Sequence, residues 1–426
     1  MRDWENQLSW LSTTQYHPIP FRVSLFSRLG KAQKVSVLDL LREVVDVFIQ
    51  SCSPIVDGDN LPAYETSSSP FYKLLSLFEA IVCGPAGPSE KGNWGKLIDS
   101  RLQAFRAAKI QPMYDRARLT RVTAPEDRNR LPDLPHREQA ATIFANLDNP
   151  GKAFRIITAT QPIALATPPV VNALQDLYPG ECSFSPPERS SRSDTISNGD
   201  LYQTADPFIT KQLFDADNIR NSLRHVTRGG AAGGLADSPD MFVALFLSQT
   251  DDSTHDISDA NIKLFSSLLI QVLENNLSTE ASPFYNSSRL IALHKNPDDE
   301  LKLRPIAIGT ALRRLICGHI SRVNRPYFAK HLAPYQWGID VPNGMDFVYQ
   351  ATSRLVDKFV SRTEAEMRDH PPTRALVQLD LQNTFNSVSR KKARQMIRRH
   401  FPQLLGLFDL MYKIQVKVWY QLPQGD

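Results

Sequence analysis

Residues 374–390 read Arg374-Ala-Leu-Val-Gln-Leu-Asp-Leu-Gln-Asn-Thr-Phe-Asn-Ser-Val-Ser-Arg390. A short apolar run ends in one carboxylate, Asp380, and an aromatic side chain, Phe385, follows five residues later. A continuous apolar run of this length predicts a strand that is buried on both faces. A carboxylate at the end of such a strand is costly to bury unless a partner such as a metal ion holds it. The alternative for Asp380 alone is an acid that caps the following turn.

This stretch closely resembles the first palm motif of reverse transcriptases from non-LTR-type retroelements, which runs Leu-Asp-Leu-x-Asn-Ala-Phe-Asn-Ser-Val-Ser-Arg. Thr384 departs from that pattern, because the family usually has Ala there. In the family the Asp binds two catalytic Mg²⁺ ions, and the aromatic residue packs under the incoming sugar and excludes a 2′-hydroxyl. The resemblance implies that Asp380 is the catalytic metal ligand and that Phe385 is the sugar gate. Mg²⁺ takes oxygen ligands, and phosphoryl transfer needs its charge.

The segment upstream of this motif predicts a β-hairpin. Strand-like residues 289–295 are followed by the turn signal Asn296-Pro-Asp-Asp299 and then by Lys302-Leu-Arg-Pro-Ile-Ala-Ile-Gly309. This text resembles the fingers hairpin of reverse transcriptases, in which a Lys and an Arg grip the triphosphate of the incoming nucleotide. The resemblance gives that role to Lys295 and Arg304. The alternative for each is a solvated charge at a strand edge.

Two further segments extend the resemblance on either side of the hairpin, and a helix is predicted between the hairpin and the second of them. Residues 223–235 resemble the Gly-x-Ala-x-Gly-x-Asp-Gly loop that opens these polymerase domains, although the family's Asp is missing from its place. A phosphate-binding loop is not indicated, because no Gly-Lys-Ser/Thr follows. Residues 334–344 resemble the segment between fingers and palm. Residues 311–320 predict a helix whose core-facing stripe consists of Leu312, Leu315, Ile316 and Ile320.

Gln424-Gly425-Asp426 resembles the start of the Gln-Gly-Asp-Pro-Leu motif, which assigns Gln424 and Gly425 to the wall of the nucleotide pocket. In the family the second catalytic pair, an aromatic-x-Asp-Asp hairpin, lies beyond that motif. The Asp-Asp pairs at 251–252 and 298–299 both precede Asp380, which is the reverse of the family order. Two-metal catalysis needs several converging carboxylates. We therefore expect this chain alone to be catalytically inactive and to represent a reverse transcriptase truncated within the palm.

Residues 390–400 predict a basic helix that begins after Ser389. Beside a polymerase-like palm, this run indicates a salt-dependent contact with a nucleic-acid backbone. The alternative is a solvated helix face, which is common for such a run. The residues predicted to contact nucleic acid are Arg390, Lys391, Lys392, Arg394, Arg398 and Arg399. A second basic stretch, residues 101–130, is more typical of a solvated helix that breaks at Pro112.

The positive charge of the chain is concentrated in local runs, because the net charge of the whole chain is small. Its 49 Lys and Arg residues against 45 Asp and Glu residues leave a net charge of only +4. The four cysteines form no Cys-x-x-Cys pair, which argues against a zinc site or disulfide framework and indicates a reducing compartment. No secretory signal or membrane-length apolar segment is evident. We expect an intracellular protein, nuclear or cytoplasmic, that does not enter a membrane.

The sequence predicts an α+β fold with a helical N-terminal region, and the resemblance implies that the fingers and partial palm of a right-hand, reverse transcriptase-like polymerase follow it. We place the helical region at 1–182, a flexible linker at 183–206 and the polymerase-like region at 207–426. The predicted N-terminal helices are Val37–Gln50, Phe71–Cys83, Leu97–Ile110, Glu138–Asn146, Lys152–Ala159 and Val170–Leu177. Further helices are predicted at Asp215–Val226, Asp259–Leu277 and Asp346–Phe359.

The resemblance implies that the complete enzyme extends a DNA primer on an RNA template, using deoxynucleotides and Mg²⁺. Two other functions remain open. The first is a truncated or decayed element product that binds nucleic acid without catalysis. The second is a purely structural protein that uses its helical half to bind a partner. The sequence indicates no particular protein partner.

Overall fold

The structure, a computed structural model, describes the following parts of the chain: residue 26 and residues 29–52, 68–84, 93–119, 134–146, 150–157, 164, 167–177, 211–226, 233–235, 237–247, 259–273, 277, 281–296, 299–360, 388–412 and 418–419.

The first half of the chain is helical, as the sequence predicts. Its helices are α1 (Lys31–Ser51), α2 (Ser68–Val82), α3 (Trp94–Arg106), α4 (Ile110–Leu119), α5 (Leu134–Asn146), α6 (Pro150–Ile157) and α7 (Pro168–Leu177). Two predicted boundaries are clearly wrong, because α1 begins at Lys31 and not at Val37, and α3 ends at Arg106 and not at Ile110. The chain reverses at Ala108, whose φ is 57°, and α4 then begins with Pro112 in its first turn. Proline fits there because a first-turn N–H has no partner within the helix.

The second half adds short helices, a hairpin and three longer helices. These elements are α8 (Ala216–Arg224), α9 (Pro239–Leu247), α10 (Asp259–Leu273), α11 (Ser282–Asn286), β1 (Ser288–Asn296), β2 (Asp299–Gly309), α12 (Ala311–Leu332), α13 (Gly344–Val360), α14 (Arg390–His400), a 3₁₀ turn (Pro402–Leu404), α15 (Leu405–Tyr412) and β3 (Val418–Trp419). The predicted hairpin and the helices that follow it are confirmed. The predicted side-chain cap of α14 is also present, since Ser389 Oγ accepts a hydrogen bond from Lys392 N.

The described strands form one small sheet in the order β2-β1-β3. β1 and β2 pair antiparallel from Ser288 opposite Gly309 to His294 opposite Leu303, and β3 pairs parallel to β1. The register becomes irregular beyond His294, next to the turn. The fold is therefore α+β and mainly helical, which confirms the coarse fold class.

The main hydrophobic core combines helices from both halves of the chain. Leu40 and Phe78 belong to the same buried cluster as Phe246 and Phe265. A polar contact also joins the halves, because the Arg42 guanidinium donates to the Asn261 side chain on α10. The predicted linker at 183–206 lies outside the described residues, so the division into two regions stays a prediction.

The predicted core stripe of α12 is confirmed. Leu312, Leu315, Ile316 and Ile320 are all buried, and His319 is buried between them. The imidazole of His319 lies 2.9 Å from Ser222 Oγ and 2.8 Å from the Leu213 carbonyl oxygen. The helix continues one face of the main core from the end of the hairpin to Phe328. In the part of the chain that the structure describes, no helix combines the length and the apolar character needed to cross a membrane.

Candidate functional site

The proposed triphosphate-gripping residues lie near the turn end of the β1–β2 hairpin. Leu293 on β1 is directly opposite Arg304 on β2. Opposed residues of an antiparallel pair share a face, and so do alternate residues of one strand. Leu293 therefore shares a face with Arg304, whereas Lys295 and Lys302 lie just beyond the last regular pair, where the register becomes irregular. The side chains of Lys295, Lys302 and Arg304 are all exposed, and together they form what we call the hairpin basic face.

The opposite face of the hairpin is covered by α7. Leu290, Ala292 and Leu303 are buried in a small cluster with Val170 and Leu174 of that helix. The segment before α7 adds a backbone contact, because Ala164 N donates to the Ala292 carbonyl at 2.9 Å. One face is thus packed against the protein, so the basic face points away from that packing.

The hairpin basic face has the charge pattern of an anion site. None of its three cationic side chains forms an ion pair or side-chain hydrogen bond within the described parts of the chain. Like charges on neighbouring positions of a hairpin repel one another, and a bound anion removes that repulsion. Arg can bind a phosphate through two parallel hydrogen bonds, whereas Lys acts as a point charge. Sequence analysis assigned no role to Lys302, although it lies only two residues before Arg304 on β2.

The glycine-rich loop packs against the base of the hairpin. A Cβ atom on Gly233 would lie 2.6 Å from the Gly309 carbonyl oxygen and 2.9 Å from Thr310 Cα. A Cβ atom on Gly234 would lie 2.6 Å from Ser287 Oγ. These two glycines are needed because backbone segments approach closely. Within the described residues, the loop contacts the backbone of Ser288, where β1 begins, and of Gly309, where β2 ends.

Asp237, which sequence analysis did not single out, connects this loop to α12. It is only 3% exposed, and its Oδ2 accepts a hydrogen bond from the Ala311 backbone N–H. Burial raises the pKa of Asp237 to about 6, although the Ala311 hydrogen bond and the charge of Arg314 act in the opposite direction. The next residue, Ser238, donates from its N–H and its hydroxyl to the buried Glu79 carboxylate of α2, at 2.7 and 2.9 Å.

The basic helix α14 has two cations that contact the protein. Arg394 donates two hydrogen bonds of 2.7 Å to the two oxygens of Asp409 on α15. The Arg390 guanidinium lies 5.1 Å from the centre of the Tyr412 ring, within the range of a cation–π contact. These contacts occupy two of the six residues predicted to bind nucleic acid.

The four other predicted cations of α14 face solvent. Residues seven positions apart lie on the same side of a helix. Lys391 and Lys392 therefore share a side with Arg398 and Arg399, and all four side chains are exposed. We call these four residues the α14 basic face. It presents positive charge along about two turns of helix, which is suitable for contact with a phosphate backbone.

The remaining predicted site residues, Asp380, Phe385, Gln424 and Gly425, lie outside the described residues. The structure therefore places Lys295 and Arg304 on the same hairpin but gives no geometry for the proposed metal ligand. Within the ranges that are described, no group of three or more His, Cys, Asp or Glu side chains is arranged to hold a metal ion.

Comparisons of the chain with models of protein families, with curated proteins and with solved structures gave no match.

Proposed function

We propose that the chain is a reverse transcriptase-like protein of a non-LTR-type retroelement, and that its hairpin basic face binds the triphosphate of a deoxynucleotide. The observation that carries this proposal is that the Lys295 and Arg304 side chains are both exposed near the turn end of one hairpin. The sequence motifs after the hairpin support it, because Asp380 and Phe385 follow in the family order. The complete enzyme would use RNA as template, a DNA primer and deoxynucleotides.

In this proposal the protein side chains orient and neutralise the nucleotide. Arg304 and Lys295 offset the negative charge of the triphosphate, and Lys302 adds a third cation near the turn. Positioning and charge neutralisation provide most of the catalysis in phosphoryl transfer. Asp380 has the oxygen donors that Mg²⁺ prefers. One carboxylate does not hold two ions, so we derive no metal-dependent step for this chain alone.

The second candidate is a nucleic-acid-binding protein without catalysis, and the α14 basic face favours it. Its four exposed cations require no carboxylate pair to bind RNA or DNA. Such binding would weaken steeply with salt, because it releases counterions from the phosphate backbone. Both candidate functions use the α14 basic face to bind nucleic acid. They differ at the hairpin, because only the polymerase function gives Lys295 and Arg304 a role in nucleotide binding.

RNA-templated primer extension tests the polymerase proposal, in a protein that carries this chain together with an aromatic-x-Asp-Asp pair. We expect Asp380→Asn to abolish extension. Lys295→Ala and Arg304→Ala should each raise the KM for deoxynucleotides about tenfold to a hundredfold, as loss of a charged hydrogen bond implies. Lys263→Ala removes an exposed lysine on α10 and serves as the matched control.

Two results would contradict the assignments separately. Normal extension by the Asp380→Asn protein would show that Asp380 is not a catalytic metal ligand. Unchanged KM values in the Lys295→Ala and Arg304→Ala proteins would show that the hairpin does not grip the triphosphate. Salt-sensitive RNA binding, together with KM values for deoxynucleotides that do not change in the Lys295→Ala and Arg304→Ala proteins, would favour the non-catalytic function.

A further inference from the structure

The end of β2 is held by one short segment of the glycine-rich loop. Gly233 lies against the carbonyl of Gly309, where β2 ends, and its N–H donates to the Asp237 carbonyl at 2.9 Å. The Asp237 side chain then accepts a hydrogen bond from Ala311, the first residue of α12. Residues 233–237 thus contact the backbone on both sides of the strand-to-helix corner.

Asp237 replaces the usual cap of α12. A Thr that precedes a helix commonly accepts a hydrogen bond from the first turn. Thr310 makes no such side-chain contact, and its buried hydroxyl donates to the Tyr285 carbonyl at 3.1 Å. The buried first-turn N–H of Ala311 is therefore satisfied by a carboxylate that lies 74 positions earlier in the chain. The direction in which α12 leaves β2 depends on this distant contact.

The surroundings of Asp237 make its charge relevant to the corner. Arg314 lies one turn into α12 and interacts with the charge of Asp237. Arg314 also interacts with the charges of Asp240 and Glu79, and the Tyr72 hydroxyl lies near Asp237 as well. An ionised Asp237 stabilises the positive end of the helix dipole and the Arg314 guanidinium. A neutral Asp237 keeps the acceptor oxygen but loses both charge interactions.

We propose that Asp237 is a positioning residue for the hairpin basic face: its capping of α12 fixes the end of β2 and, through that strand, the position of Arg304. The inference rests on the proposed role of Arg304 in triphosphate binding. It assigns the glycines at 233 and 234 a purpose as well, because they let the loop approach the corner closely enough for Asp237 to reach Ala311.

Two substitutions of Asp237 separate its hydrogen bond from its charge. Asp237→Ala removes both, whereas Asp237→Asn keeps an acceptor oxygen of similar geometry and removes only the charge. Asp215→Ala is the matched control, because Asp215 caps α8 through a 3.0 Å hydrogen bond from Asn218 N, away from the hairpin. Each protein is titrated with a fluorescent deoxynucleoside triphosphate and Mg²⁺, and amide hydrogen exchange is followed in residues 303–309.

We expect Asp237→Ala to weaken triphosphate binding about tenfold, which corresponds to the loss of one capping contact of about 1.4 kcal/mol. Amide exchange in residues 303–309 should become faster in the same protein. Asp215→Ala should lower the stability of the fold without either effect. If folded Asp237→Ala protein binds as tightly as the wild type and shows unchanged exchange in residues 303–309, the inference is overturned.

The pH profile of triphosphate binding distinguishes positioning from a purely structural role. At pH 8 the wild type should bind several times more tightly than Asp237→Asn, and the two affinities should converge as the pH falls through about 6. The ratio of the two affinities cancels the titration of the ligand and of the neighbouring groups. A ratio of wild-type to Asp237→Asn affinity that does not change with pH would contradict a role for the charge of Asp237. If the wild type binds no triphosphate, the proposed function fails, and amide exchange alone then decides the positioning role.

Discussion

Both carboxylate oxygens of Asp409 accept hydrogen bonds of 2.7 Å from the guanidinium of Arg394. This pair joins α14 to α15 and sets which side of the basic helix faces solvent. Arg390 strengthens the same orientation through its contact with Tyr412. We therefore assign nucleic-acid contact to the α14 basic face and give Arg394 a role in holding the helix.

Replacing Arg394 should affect stability more than binding. We expect Arg394→Ala to lower the free energy of unfolding by about 1 kcal/mol, a small value because both partners are partly exposed. Urea denaturation of the wild type and the variant measures the difference. The salt dependence of RNA binding should stay as in the wild type. A stable Arg394→Ala protein with a reduced salt dependence would reverse the assignment.

Replacing residues of the α14 basic face should affect binding more than stability. Each of the single substitutions Lys391→Ala, Lys392→Ala, Arg398→Ala and Arg399→Ala should reduce the slope of log K against log salt concentration by about 1. Fluorescence anisotropy with a labelled RNA at several salt concentrations gives the slope. Lys263→Ala removes the same charge elsewhere and should leave the slope unchanged. Equal effects from Lys263→Ala would indicate binding by overall charge alone.

Gly233 should tolerate no side chain. A methyl group there would meet the Gly309 carbonyl, the Asp237 carboxylate and Thr310 Cα, so we expect Gly233→Ala to cost about 2 kcal/mol or more. Gly318 provides the opposite case, because it lies inside α12 with open space around it. Gly318→Ala should stabilise the protein by about 0.5–1 kcal/mol through helix propensity. Denaturation curves of the two variants should therefore shift in opposite directions.

His319 should make stability depend on pH. Burial lowers the pKa of His319 below its ordinary value of 6.5. In the neutral form Nε2–H donates to the Leu213 carbonyl, and Nδ1 accepts from the Ser222 hydroxyl. As the pH falls below about 6.5, the unfolded chain binds a proton that the folded chain does not, so the free energy of unfolding decreases.

The difference between wild type and His319→Gln isolates this contribution, because Asp237 acts in the opposite sense below pH 6. We expect the variant to be less stable at pH 8 by about 1–2 kcal/mol. Its deficit should shrink at pH 5.5, where the wild type has lost stability. A His319→Gln deficit that is the same at both pH values would refute the account.

The elements that could be predicted from sequence carry a periodic apolar pattern or a clear turn signal. The α12 stripe and the Asn296-Pro-Asp-Asp299 turn are examples, and both are confirmed. Helix α9 could not be predicted in this way. Residues Pro239–Leu247 are apolar nearly throughout, so their pattern has no period that distinguishes a helix from a strand.

The contacts that could not be predicted join residues far apart in sequence. Asp237 reaches Ala311 across 74 positions, and Ser238 reaches Glu79 across 159. Local patterns do not identify such partners. The ion pair between Arg394 and Asp409 could not be predicted either. The sequence of a basic helix does not show which of its cations faces the neighbouring helix.

Triphosphate binding by this chain tests the central claim most directly. A fluorescent deoxynucleoside triphosphate with Mg²⁺ is titrated into the wild type, the double variant Lys295→Ala/Arg304→Ala and the control Lys263→Ala. We predict binding by the wild type and the control, with affinity lowered about a hundredfold or more in the double variant, as two lost charged contacts imply. Equal affinities in all three proteins, or no binding by the wild type, would contradict a nucleotide-binding role for the hairpin.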